Sequence, residues 1–236
     1  MSLRLHQMTA RFCLALTLVM CAATAAAETV RLRYVGPDAA LVTQLRLSPG
    51  TQNYSVGIFT VQVEDPLASF LAYCVDPMQF ASSHYLDYQK SDLASFLSAS
   101  TQRLADVTSM FAHAYADSVG NATKAAGFQL ALWEVFNDNR NLHSGSVRKT
   151  SHTNASAVAE ADSLLASLAA SSWSAPAANY ELTLFRNGHK QDFLAATPVI
   201  VPSDTTPVPE PETAALTLVG LGLLGLARLR RRYRSA

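Results

Sequence analysis

From Thr29 onward, apolar and polar positions alternate. Val30, Leu32 and Tyr34 hold one parity against Thr29, Arg31 and Arg33, the period of a strand with one buried face. Gly36-Pro37-Asp38 predicts the end of that run. Leu41, Thr43, Leu45 and Leu47 predict a second strand, closed by Ser48-Pro49-Gly50. Tyr54–Val63 is a third, and its apolar parity switches near Gly57, which predicts a bulge or a strand buried on both sides. Ser69–Val75 is a fourth and delivers Tyr73 and Cys74 at its end. The period then lengthens. Ser91-Asp92 can cap a short helix through Leu97, and Arg103–Tyr115 places Leu104, Val107, Phe111 and Ala114 on one side. Asn121 or Thr123 starts a third helix that runs out in Asn137-Asp138-Asn139. Asn141–Thr153 is polar and predicts a surface loop, while Thr153–Ala170 is helical with Val158, Leu164, Leu165 and Leu168 as its apolar side. Tyr180–Phe185 and His189–Ala195 flank Asn187-Gly188, a strong hairpin signal.

Strands on both sides of a run of helices predict an α+β fold. The expected body, residues 28–200, is β-rich, sandwich or barrel-like, with a helical insertion between Cys74 and Gln129. Its centre is Ala125–Phe136, AAGFQLALWEVF. Phe128, Leu132 and Val135 recur at helical spacing there, as do Gln129, Trp133 and Phe136. Gln129 therefore lies on an apolar stripe that should face inward. A primary amide in such a place needs hydrogen-bond partners, or a covalent fate, to offset its desolvation.

The two ends of the chain differ from the body. Residues 1–27 join Arg4 and Arg11 to an apolar run, Phe12–Ala23, and to the small residues Ala25-Ala26-Ala27 before Glu28. That is the pattern of a secretory signal peptide. A lipoprotein reading through Cys21 is disfavoured by the bulky Met20 before it. Residues 201–208 are a Pro/Thr linker. Residues 209–236 follow: Pro209-Glu210-Pro211, an apolar run from Ala214 to Ala227, and a basic cluster holding Arg228, Arg230, Arg231 and Arg232. Fourteen helical residues span about 21 Å, short of a hydrocarbon core of about 30 Å, and snorkelling arginines with local thinning cover part of the difference. The basic cluster predicts a C-terminal membrane-anchor helix with its tail in the cytoplasm and the body outside. Pro-Glu-Pro, apolar helix and basic tail in that order resemble a PEP-CTERM sorting signal. The resemblance implies export, processing by an exosortase, and a Gram-negative cell that makes exopolysaccharide.

Charge and cysteine usage narrow the body's chemistry. Between Glu28 and Thr206 there are 11 basic and 16 acidic residues and no basic patch, so nucleic acid is not an expected partner. Of three cysteines, Cys13 and Cys21 lie in the signal segment, which leaves Cys74 alone in the exported part. Such a thiol is free, paired between molecules, or chemically used. Nucleophilic catalysis would need His84 or His113 beside it, and no orienting acid or oxyanion loop is legible. Asp76, His84 and Asp87 could be read as metal ligands, but their spacing forms no recognisable motif. Neither metal nor cofactor is expected.

Condensation of Cys74 with Gln129 is the remaining use. Tyr73-Cys74-Val75-Asp76 and Gln129-Leu130-Ala131-Leu132-Trp133 are similar to the two halves of bacterial Cys–Gln thioester domains, whose glutamine motif is Gln-x-Ala-aliphatic-Trp. The departure is Phe128, where that family has threonine. The resemblance implies a surface adhesin, not a turnover enzyme. In that reading Cys74 and Gln129 form the electrophile, Tyr73, Trp133 and Phe136 shield it, and an amine on a target surface is the partner. The alternative is a noncovalent structural protein of an exopolysaccharide matrix, with the same fold and no thioester.

Overall fold

The computed structural model describes residues 28–47, 50–173 and 177–199. The expected signal segment, linker, sorting motif and anchor helix all lie outside them.

One strand, β1 (Thr29–Leu47), runs for 19 residues straight through Gly36-Pro37-Asp38. Two breaker residues do not end it because the chain absorbs two extra residues against its antiparallel partner β2 (Gly50–Val63). The register steps between Tyr34 and Gly36 and again between Pro37 and Ala39, so Val35 and Asp38 are bulged out. A bulge is one of the few places where proline's missing N–H does not break a ladder. The expected pair of strands is thus one bent strand.

The bulges sit on β1 and not at Gly57. On β2 the run Val56, Gly57, Ile58, Phe59 is buried without alternation, which accounts for the parity switch. Gly57 has φ +146°, and a Cβ there would lie 2.2 Å from the carbonyl oxygen of Ala39. Only glycine lets β1 pass so close.

The remaining strands are β3 (Ala68–Cys74), β4 (Leu86–Asp92), β5 (Val147–Lys149), β6 (Tyr180–Asn187) and β7 (Lys190–Pro198). Their hydrogen-bonded order is β2-β3-β7-β6-β4-β1, and β1 pairs back to β2. The six strands therefore form a closed ring, which leaves no open edge among them. β5 adds to the far end of β1, at Leu45–Leu47.

Among the described residues, four helices accompany the ring: α1 (Leu93–Phe96), α2 (Thr101–Ser118), α3 (Ala122–Asn137) and α4 (Ala155–Ala170). Asp92, Asn121 and Asn154 cap α1, α3 and α4 by accepting from the backbone N–H of Ser95, Lys124 and Ala157, the usual role of such side chains at a helix start. The segment between Cys74 and Gln129 is not purely helical, because it also supplies β4, and α4 falls after Gln129. Asn141–Thr153 is no free surface loop either. It contributes β5, buries Leu142 and Val147, and is tied down by Thr153, whose hydroxyl donates to the Gln44 carbonyl. Asn187 ends β6, its side chain accepting from His189 N–H at 2.9 Å, so the turn centres on Gly188-His189.

The core is organised around α3. Every residue from Ala125 to Phe136 is buried, since β1, β2, α2 and α4 enclose the helix. A Cβ at Gly127 would come within 2.5 Å of the Glu160 side chain on α4, so α3 and α4 approach closely there.

Candidate functional site

β3 ends with two residues that face opposite ways, because successive strand side chains alternate. Tyr73 points outward to the helices. Its ring stacks on Phe128 at 4.6 Å and meets Phe111 and Tyr115 edge-on, and its hydroxyl donates to Ser118 Oγ at 2.7 Å. Cys74 accordingly points into the ring. Phe193 of β7 lies directly opposite it, and Tyr88 of β4 packs on Phe193 at 5.7 Å. Tyr34 packs on Phe59, whose cross-strand partner is Ala72, two residues before Cys74.

The backbone of Cys74 has a separate task. Val75 N–H donates to Asp192 C=O on the β7 side, so the N–H and C=O of Cys74 face the other edge. The β2–β3 register ends two residues earlier, at Phe59–Ala72. Gln129 fills that position. Cys74 N–H donates to Gln129 Oε1 at 3.0 Å, and Gln129 Nε2 donates to Cys74 C=O at 2.6 Å. A side-chain amide on α3 thereby prolongs the β-ladder by one rung. Gln129 is 0% exposed and Cys74 7%.

Two turns further along α3, Asn137 Nδ2 donates to the Val75 carbonyl at 2.6 Å. Trp133 lies between Gln129 and Asn137 on the same i, i+4, i+8 stripe, so the stripe crosses the end of β3. The indole is buried and meets Tyr54 edge-on at 6.2 Å. Phe136 points elsewhere and stacks on Phe96. Of the three residues expected to shield the pair, Trp133 lies on its stripe, Tyr73 occupies the opposite face of β3, and Phe136 packs beside α1. Asn137 was missed, although its spacing from Gln129 and Trp133 was a usable signal. Tyr88 gave less warning, since it is the single buried residue of a strand whose other positions are exposed or half-buried.

Electrostatics keep the thiol neutral. Burial, with Asp76 adding its negative charge, pushes the Cys74 thiol far above its ordinary range. Burial first, then Asp192 and Cys74, lifts the Tyr88 hydroxyl to about 12. Among the described residues, the two histidines considered as activating bases have other neighbours. His113, on α2 outside the ring, stacks on Trp173 at 5.0 Å, and His84 sits in a turn with Ser82. Among the described residues no three His, Cys, Asp or Glu side chains gather as a metal site, so Asp76, His84 and Asp87 do not converge. Surface clefts of about 280 Å³ beside Arg103 and Arg140, and about 470 Å³ beside Asp87 and Arg186, are not lined by Cys74 or Gln129. The pair is sealed.

Among the described residues no helix is long and apolar enough to cross a membrane, and the expected anchor lies beyond them. No curated protein and no solved structure matches the chain. The PEP-CTERM protein-sorting motif matches residues 207–232, which take in Pro209, Glu210, Pro211 and the arginines from Arg228 to Arg232. That match marks an exported protein sorted by an exosortase and held by its C-terminal end before processing.

Proposed function

We propose that the exported body carries an internal thioester between Cys74 and Gln129 and uses it once, to bind covalently to an amine on a surface outside the cell. The observation that supports this is the two-point pairing of the buried Gln129 amide with the Cys74 backbone. It brings the amide to the residue that bears the thiol, and holds it.

In the bond-forming step Sγ attacks Cδ, the C–S bond forms, the C–N bond breaks, and ammonia leaves with the thiol proton. Negative charge develops on Oε1, which Cys74 N–H already addresses at 3.0 Å, in the manner of an oxyanion hole. The site is buried, and burial protects a thioester from hydrolysis. Phe128, in place of the family's threonine, stacks on Tyr73, and Cys74 N–H takes over the task of orienting the amide. Each molecule reacts once, so the protein is not an enzyme with turnover. Residues 28–200 form the reactive body, 201–208 the linker, and 209–236 the sorting segment. The cell surface or extracellular matrix of a Gram-negative bacterium is the place of action.

A second reading is favoured by the same pair of hydrogen bonds. They satisfy the buried amide without any covalent bond, which suits a structural exopolysaccharide-matrix protein. Mass decides between them. In the thioester reading the exported protein is lighter than its sequence by one ammonia, resists thiol reagents, and takes up methylamine at Gln129 as the Cys74 thiol appears. Cys74→Ala and Gln129→Ala each abolish the uptake. A freshly isolated protein of full mass that takes up no amine leaves the matrix reading standing.

A further inference from the structure

Tyr88 is buried, yet its hydroxyl has no hydrogen-bond partner. Buried polar atoms in folded proteins are nearly always paired, so such an exception calls for a reason. The strand around it gives none. Tyr88 is the single buried residue of β4, and phenylalanine would fill the same wall without an orphaned oxygen.

Its position is informative. The Tyr88 ring packs on Phe193, and Phe193 faces Cys74 across the β3–β7 pairing. Cross-strand neighbours of this kind have Cβ atoms about 4.5–5.5 Å apart on one face. Tyr88, Phe193 and Cys74 therefore share the inner wall of the ring at the end where α3 delivers Gln129. Burial first, then Asp192 and Cys74, oppose ionisation of Tyr88, so the hydroxyl keeps its proton. Tyr34, the other phenol on this side, is only half-buried.

We propose that the Tyr88 hydroxyl is the proton carrier of the Cys74–Gln129 pair. This inference rests on the thioester reading. The chemistry needs such a group because burial makes a free thiolate costly, both as attacking group and as leaving group. When the bond forms, the Tyr88 oxygen takes the thiol proton as Sγ attacks Cδ, and its own proton goes to the departing nitrogen, which leaves as ammonia. When an amine opens the bond, C–N forms and C–S breaks. Tyr88 then gives its proton to sulfur and recovers one from the attacking nitrogen. The phenol ends each step as it began, so no other reactant is required.

The test is Tyr88→Phe in the exported protein, with Tyr88→Met as a second variant that fills the wall without a hydroxyl. Bond content is read as the mass deficit, and reactivity as the rate of methylamine uptake with thiol release. Both variants should fold with melting close to wild type and capture methylamine about a hundredfold more slowly, the scale of a lost proton-transfer group. Phe193→Leu disturbs the same wall but keeps the hydroxyl, so its rate should fall far less. Wild-type rates in both Tyr88 variants, or an equal loss in Phe193→Leu, overturn the proton carrier and leave the thioester intact. Wild-type protein of full mass with no amine uptake overturns the thioester, and the carrier with it.

Discussion

Gln129 shows how a polar side chain can sit at the centre of an apolar helix. Its amide replaces the neighbour that the Cys74 backbone lacks once β2 diverges, so two desolvated backbone groups and one desolvated side chain are satisfied together. The stripe of Gln129 and Trp133 was legible from helical spacing, and the alternation of β3 was legible too. Combining them was not, because parity puts Tyr73 and Cys74 on opposite faces of β3, and which of them meets α3 is set by packing that no local signal records. Glu134 carries a prediction of the same kind. It is fully buried, and Oε2 accepts from Asn141 N–H at 2.8 Å. Burial raises its pKa from 4.5 to about 7, with Asp138 adding to the rise, while the N–H donors of Asn141 and Arg140 oppose it. The folded state thus holds this proton more tightly than the unfolded chain. The contribution is fully present below pH 4.5 and is lost as pH rises through about 7. Glu134→Gln should therefore gain on the order of 2 kcal/mol over wild type at pH 8 and almost nothing at pH 4. Urea unfolding at the two pH values checks it, and an equal difference at both would show that proton binding is not the cause.

At the scale of elements, legibility followed how much of each strand is buried. β3 and the inner half of β2 were read correctly because several apolar residues mark them. β4 was missed since Tyr88 is its only buried residue, and β5 since its three residues form a short polar-flanked ladder. The division of β1 into two strands was a plausible use of Gly-Pro-Asp. It failed because β2 supplies continuous pairing across the bulges, a long-range contact that no local signal records. Gly57 is the residue on which that pairing turns. At φ +146°, with the Ala39 carbonyl 2.2 Å from where a Cβ would stand, Gly57→Ala strains its own backbone and forces β1 away. The cost should be roughly 2–4 kcal/mol. Gly36→Ala makes a fair control, since a Cβ at that position meets nothing within 4 Å. It should change stability by less than about 1 kcal/mol. Denaturant midpoints of the two variants give the comparison, and equal losses would contradict the close crossing of β1 over β2.

Taken whole, the chain joins a folded body to a C-terminal sorting motif at residues 207–232 and to an expected signal segment at residues 1–27. The body's ring closes on itself, and its first described residue is already fastened. The Glu28 carbonyl accepts from Lys90 N–H at 2.7 Å, and its carboxylate pairs with the Lys90 ammonium at 3.1 Å. A signal peptidase that cut just before Glu28 would thus leave the barrel's first strand complete. At the other end β7 finishes at Pro198, ahead of the Pro/Thr linker and of the sorting motif at 207–232. Cleavage near Pro209-Glu210-Pro211 would remove the apolar run and the arginines without touching a strand. Under the proposed thioester reading, this layout would let folding bury Cys74 and Gln129 while the C-terminal end still holds the chain before processing. The expected mature protein begins near Glu28 and ends close to Pro209. Peptide mapping of protein taken from the cell surface tests this at both ends. A mature species that still carries the Arg228–Arg232 peptide would show that the tail is kept as a permanent anchor.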